Sequence, residues 1–144
     1  MLEFNDNHQP TAFADIKEAF DVLADWEDRY RYLIDMGRNL EPLDDPYKAE
    51  ENLIHGCQSQ VWILHEVGED GKFRFRGESD AIIVNGLISM LLSLYWGKTA
   101  AEILEIDAKS ELEPLQLDHH LTSSRRNGLF SMAQKVREWA ENVA

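Results

Sequence analysis

Two β-patterned runs flanking Gly68-Glu69-Asp70-Gly71 constrain this chain more than any other stretch. Residues 58–67 are rich in β-branched and aromatic side chains, and Lys72-Phe73-Arg74-Phe75-Arg76 alternates strictly. Successive strand side chains point to opposite faces, so Phe73 and Phe75 share one face and the three cations the other. The glycine-bounded turn predicts an antiparallel hairpin over about residues 58–77, its cationic face turned to solvent. Gly77-Glu78-Ser79-Asp80 is expected to close the second strand, with Ser79 as N-cap of the next helix.

Everything around the hairpin has helical rhythm. Residues 81–95 are apolar almost all round, which predicts a helix at the centre of the core, ended by Gly97. This stretch carries Asn85, Gly86, Ser89 and Ser93 and is shorter than the roughly 20 residues of a membrane span. Upstream, Thr11 or Asp15 is expected to open a helix with Phe13, Ile16, Phe20 and Leu23 on one side. Asp25 caps a second, with Trp26, Tyr30, Leu33, Gly37 and Leu40 in register and a stop at Gly37 or Asn39. Residues 41–52, with two prolines and adjacent aspartates, read as a long loop. Downstream, Thr99 and Glu102 form a capping box for a short helix through Leu104, and Glu113-Pro114 breaks the chain. Residues 115–121 are ambiguous. Thr122 or Ser123 then caps a long helix with Leu129, Met132, Val136, Ala140 and Val143 on one stripe. Residues 1–10 read as a loose tail. The pattern predicts one α+β domain over residues 1–144, a small antiparallel sheet packed against several helices.

Charge bears on partners. The chain holds 27 acidic and 14 basic residues, a formal net charge of −13. Residues before His55 hold 14 acids and 5 bases, the remainder 13 and 9, so the surplus is mainly N-terminal. Such a field repels phosphate backbones and argues against nucleic acid or an anionic membrane as partner, while favouring a basic protein surface. The polar N-terminus lacks a signal-peptide pattern, and a single cysteine suits a reducing compartment, so a cytoplasmic location is expected.

That cysteine is the chemical question. Cys57 follows Gly56 and precedes Gln58-Ser59-Gln60, just ahead of the first strand. A buried free cysteine commonly serves as a small hydrophobe. Here the loop position, the permissive Gly56 and the neutral polar neighbours suit a nucleophilic thiol equally well. No GxGxxG, P-loop, GxSxG or HExxH occurs, so nucleotide binding and the common hydrolase schemes have no signature. A zinc site would need paired cysteines, or else a fold that gathers Cys57 with His55, His119 and His120. A cluster scaffold would need several cysteine ligands. A thiol peroxidase or redox sensor, and an interaction module with an incidental cysteine, both stay open on the residues alone.

Four collinear blocks narrow this. Gly56-Cys57-Gln58-Ser59-Gln60-Val61-Trp62 resembles the signature of the SufE family, sulfur acceptors that work with cysteine desulfurases. Trp26-Glu27-Asp28-Arg29-Tyr30 with Leu33-Ile34 and Gly37 resembles that family's early helix. Gly77-Glu78-Ser79-Asp80-Ala81 with Ile83-Val84 and Gly86-Leu87 resembles the segment after its hairpin. His120-Leu121-Thr122, Ser124-Arg125 and Gly128-Leu129 resemble its C-terminal motif, with Ser123 where proline is frequent. The resemblance implies a SufE/IscU-like α+β fold and a carrier rather than an enzyme. Cys57 would take persulfide sulfur from a desulfurase of the SufS or CsdA type, stimulate it, and pass sulfur to a SufBCD-like iron–sulfur scaffold or another acceptor. It implies no cofactor of the chain's own, since the organic chemistry belongs to the partner's pyridoxal phosphate. Gly56, Gln58, Asp80 and Arg125 are the expected partner contacts or loop supports, and His55 is not carried over. The expected rest state folds Cys57 back against apolar side chains. A monomer and a homodimer are both compatible with the sequence.

Overall fold

The computed structural model describes residues 2–4 and 6–143. Among the described residues six α-helices surround a two-stranded sheet: α1 Phe13–Val22, α2 Trp26–Arg38, β1 Val61–Val67, β2 Phe73–Ser79, α3 Ile82–Ser93, α4 Ala100–Leu104, α5 Ala108–Leu112 and α6 Ser123–Val143. The α+β class and the hairpin are as the sequence patterns indicate.

The hairpin pairs Val61 with Ser79 at its open end and Val67 with Phe73 at the turn. β1 therefore begins three residues later than expected, because residues 58–60 belong to the cysteine loop. β2 runs on to Ser79, which is buried, so Ser79 is not the helix cap. Its amide donates to the Asn85 Oδ1 at 2.7 Å and its hydroxyl accepts from the Ala81 amide at 3.2 Å, tying strand to helix. The cap residue of α3 is Ala81, without a side-chain bond.

The second face of the hairpin is covered, not solvated. Arg76 is only 7% exposed, and its guanidinium donates to the Glu3 carbonyl at 2.9 Å and the Pro42 carbonyl at 3.0 Å. Arg74 bonds Asp6 at 3.2 Å and Asp70 at 3.4 Å. The stretch expected to be a loose tail thus supplies Glu3 and Asp6 to this face, with a short 3-10 turn at Asp6–His8. The outer edge of β2 is covered at Phe73 by the chain after α3, where Gly97 donates to the Phe73 carbonyl and Phe73 to the Lys98 carbonyl, each at 2.8 Å. Backbone groups that would otherwise template a foreign strand are satisfied there.

α3 lies at the centre, with residues 86–92 buried in sequence. α2 crosses it in backbone contact: a Cβ on Gly86 would lie 2.1 Å from the Leu33 carbonyl oxygen, and one on Gly37 2.6 Å from the Gly86 amide nitrogen. Only glycine permits that approach. Asp25 caps α2 as expected, accepting from the Glu27 amide at 3.1 Å. Arg29 donates to the Phe20 carbonyl at 2.7 Å, serving an end-of-helix acceptor of α1 while its guanidinium lies over Trp26. α1 starts at Phe13 after an uncapped Ala12, so neither Thr11 nor Asp15 is its cap.

The Thr99–Glu102 capping box on α4 is present. α5, which the sequence patterns do not announce, is capped by Asp107. The ambiguous stretch before α6 turns at Gln116 with φ 58 and forms a 3-10 turn at Leu117–His119. On α6, Leu129, Met132, Val136 and Ala140 are buried, but Val143 is 52% exposed and leaves the stripe. Among the described residues no helix is long and apolar enough to cross a membrane.

Candidate functional site: a thiol seated on a helix

The chain enters the cysteine loop through a pinched base. Leu53 bridges to Trp62, and the Ile54 amide donates to the Val61 carbonyl at 2.8 Å. On the far side, Gln60 and Asp80 bond each other's backbone and side chain: the Gln60 amide donates to the Asp80 Oδ1 at 3.1 Å, the Asp80 amide to the Gln60 carbonyl at 3.3 Å. Residues 55–59 arch above this base. Gly56 has φ +92, a left-handed conformation that side chains resist.

The arch leans on α6 at two points one helical turn apart. Cys57 lies over Gly128: its Sγ donates to the Gly128 carbonyl at 3.6 Å, and a Cβ on Gly128 would stand 3.1 Å from the sulfur. Gly56 lies over Ser131, whose hydroxyl oxygen would be 2.5 Å from a Cβ at position 56. A helical carbonyl has a second lone pair, so it can accept the thiol in addition to its place in the helix. Cys57 is half-buried and packs against the hydrophobic core. Beside the arch a groove of ≈ 480 Å³ opens between Leu53, Ile54 and His55 on one side and Phe130, Ser131 and Gln134 on the other.

Burial pushes the Cys57 thiol above its ordinary value. The neighbouring His55 does not offset this: it is exposed and turned to Glu50, its Nε2 3.6 Å from the carboxylate. At neutral pH the seated group is therefore the thiol, not the thiolate. Gln58 is exposed. Arg125 is half-buried one turn before Gly128, so the two lie on one side of α6. Its amide donates to the Thr122 Oγ1 at 3.2 Å, which makes Thr122 the cap of α6. His120 is elsewhere, stacked on Trp26 with ring centroids 3.7 Å apart, and His119 is exposed. Among the described residues, no three His, Cys, Asp or Glu side chains are grouped to hold a metal ion.

Sequence reasoning did not single out Gly128 and Ser131 as parts of the site. A signal existed for Gly128: glycine inside a helix costs about 1 kcal/mol against alanine, which a close approach by another part of the chain explains.

A family model described as the Fe-S metabolism associated domain, SufE, matches residues 14–140. The chain belongs to the SufE family. Its relatives include an uncharacterised SufE-like protein of Rhizobium meliloti (strain 1021), 43% identical over 134 residues, covering 91% of this chain and 96% of that protein. Another, from Rhizobium etli, is 42% identical over 129 residues, with coverage of 88% and 87%. The solution structure of a hypothetical protein from Thermus thermophilus matches with a TM-score of 0.73 at 20% identity, covering 92% of this chain and 96% of that one. At that identity it speaks for the fold alone, and the shared fold extends across nearly the whole of the SufE-family chain.

Proposed function

We propose that this SufE-family chain is a sulfur carrier. Cys57 accepts persulfide sulfur from a cysteine desulfurase, stimulates that enzyme by clearing its cysteine, and hands the sulfur on for iron–sulfur cluster assembly. The observation that carries the reading is the sole cysteine of a SufE-family chain, set on an arch whose base is closed by backbone hydrogen bonds to the sheet.

The transfer balances without an outside oxidant. The Cys57 thiolate attacks the terminal sulfur of the donor persulfide. A new S–S bond forms at Cys57, the donor S–S bond breaks, and the donor cysteine leaves as a thiolate. One proton must leave Cys57 first. Burial in its seat raises the thiol's pKa, so at rest the group is a poor nucleophile and resists oxidation. In the desulfurase pocket the arch swings out, and the partner's groups supply the charge that favours thiolate. Gly56 provides the backbone freedom for that swing. Gln58 and Arg125 contact the partner in this reading, and Asp80 holds the base of the arch.

Turnover of the desulfurase, read as alanine formed from cysteine, tests this. Wild-type chain is expected to raise it several-fold with a SufS-type or a CsdA-type enzyme, and Cys57→Ser not at all. Equal stimulation by both forms, or none by wild type with either active enzyme, overturns the proposal.

A further inference from the structure

The seat of Cys57 is built for a sulfur that carries a hydrogen. The polar atom that meets Sγ is an acceptor, the Gly128 carbonyl oxygen at 3.6 Å. The thiol packs closely over Gly128, where an added Cβ would stand 3.1 Å from Sγ. A persulfidated Cys57 fails both conditions. Its Sγ has no hydrogen to donate. Its added sulfur lies about 2 Å farther on. A persulfide is also more acidic than a thiol, so the added sulfur is largely anionic at neutral pH, while the Gly128 carbonyl oxygen beside Sγ carries partial charge of the same sign. An anion set among the apolar side chains that half-bury Cys57 loses part of its hydration, which is costly.

We propose that the Gly128–Ser131 seat discriminates between unloaded and loaded carrier: the free thiol is withdrawn onto α6, and acquisition of sulfur releases the arch over residues 55–59. The pinched base at Ile54–Val61 and the Gln60–Asp80 pair stay closed, so release is a hinge motion above a fixed frame. The burial that holds the thiol neutral at rest acts in the same direction. Loading, rather than docking alone, then presents the sulfur to the acceptor. Gly128 and Ser131 are positioning residues in this device. The inference rests on Cys57 being the sulfur carrier.

Its test avoids the desulfurase. Isotope-labelled full-length chain is loaded with inorganic hydrodisulfide: the Cys57 thiolate attacks one sulfur, the inorganic S–S bond breaks, and hydrosulfide leaves. Intact mass verifies one added sulfur, and heteronuclear NOEs of the backbone amides report mobility of the arch. The expected result is a fall in NOE at residues 55–59 on loading, with Ile54 and Gln60 unchanged and the Gly128 carbonyl carbon shifted. A thiol reductant reverses all three. An arch as ordered when loaded as when free, with the terminal sulfur simply pointing outward, overturns the inference. Gly128→Ala is the second arm. Its methyl group would stand 3.1 Å from Sγ and push the thiol off the Gly128 carbonyl, so Cys57 is expected to be alkylated several-fold faster before loading, with a smaller change in the arch on loading. A folded variant that still shows the wild-type loading response also overturns it. Because loading is chemical, failure to accept sulfur from a desulfurase leaves this outcome readable.

Discussion

Asp80 and Gln60 hold each other by two hydrogen bonds, amide to carboxylate at 3.1 Å and amide to carbonyl at 3.3 Å, where the arch carrying Cys57 returns to the sheet. The carboxylate sits between the end of β2 and the start of α3, so its position is set by elements that do not move with the arch. Asp80→Ala removes one acceptor at an exposed site. We predict a stability loss of about 1 kcal/mol together with faster hydrogen exchange at the Gln60 amide. Unchanged exchange at Gln60 would show that the pair does not brace the arch.

The α2–α3 crossing is predicted to be the least tolerant point of the core. Alanine favours helices over glycine by about 1 kcal/mol, yet Gly86→Ala would set its Cβ 2.1 Å from the Leu33 carbonyl oxygen. Backbone cannot yield as a flexible side chain does. Urea unfolding should show a loss of about 3 kcal/mol or more. A neutral or stabilising result would contradict the backbone contact.

Arg76 is the cation that alternation placed on a solvated face and the fold buries. Arg76→Ala leaves the Glu3 and Pro42 carbonyls without their donor. A loss of roughly 2–3 kcal/mol is expected from charge-assisted bonds at a buried site. Arg76→Lys should recover only part, since an ammonium does not span two acceptors as a guanidinium fork does. Full recovery by lysine would mean that charge, not the fork, matters there.

The thiol carries a pH signature. Burial raises the pKa of Cys57 in the folded chain, so the fold holds its proton more tightly than the unfolded chain does. The resulting contribution to stability is complete below the ordinary thiol value of about 8.5. It fades as pH rises through the higher native value. Alkylation of native chain by iodoacetamide should therefore inflect at higher pH than alkylation of the chain in denaturant. Coincident profiles, or a lower native inflection, would place an activating cation near the thiol.

The hairpin, the Thr99–Glu102 box and the stripe of α6 were legible in the sequence because each is set by residues within a few positions of one another. The burial of Arg76 was not, because alternation specifies opposite faces without saying what covers each one. The late start of β1 has a similar origin: Gln58 and Ser59 fit a strand by composition, but the Gln60–Asp80 bonds turn them into the arch. The cysteine was legible as a candidate from its neighbours. Its seat was not, since Gly128 lies 71 positions away and only the tertiary fold brings the two together. A glycine in the middle of a helix was the one local trace of that meeting.

The most direct measurement is intact mass of the chain after incubation with an active cysteine desulfurase and free cysteine, wild type beside Cys57→Ser. One added sulfur is expected on wild type, removed by a thiol reductant, and none on the variant. Sulfur on both forms, or on neither with SufS-type and CsdA-type enzymes alike, would contradict Cys57 as the carrier.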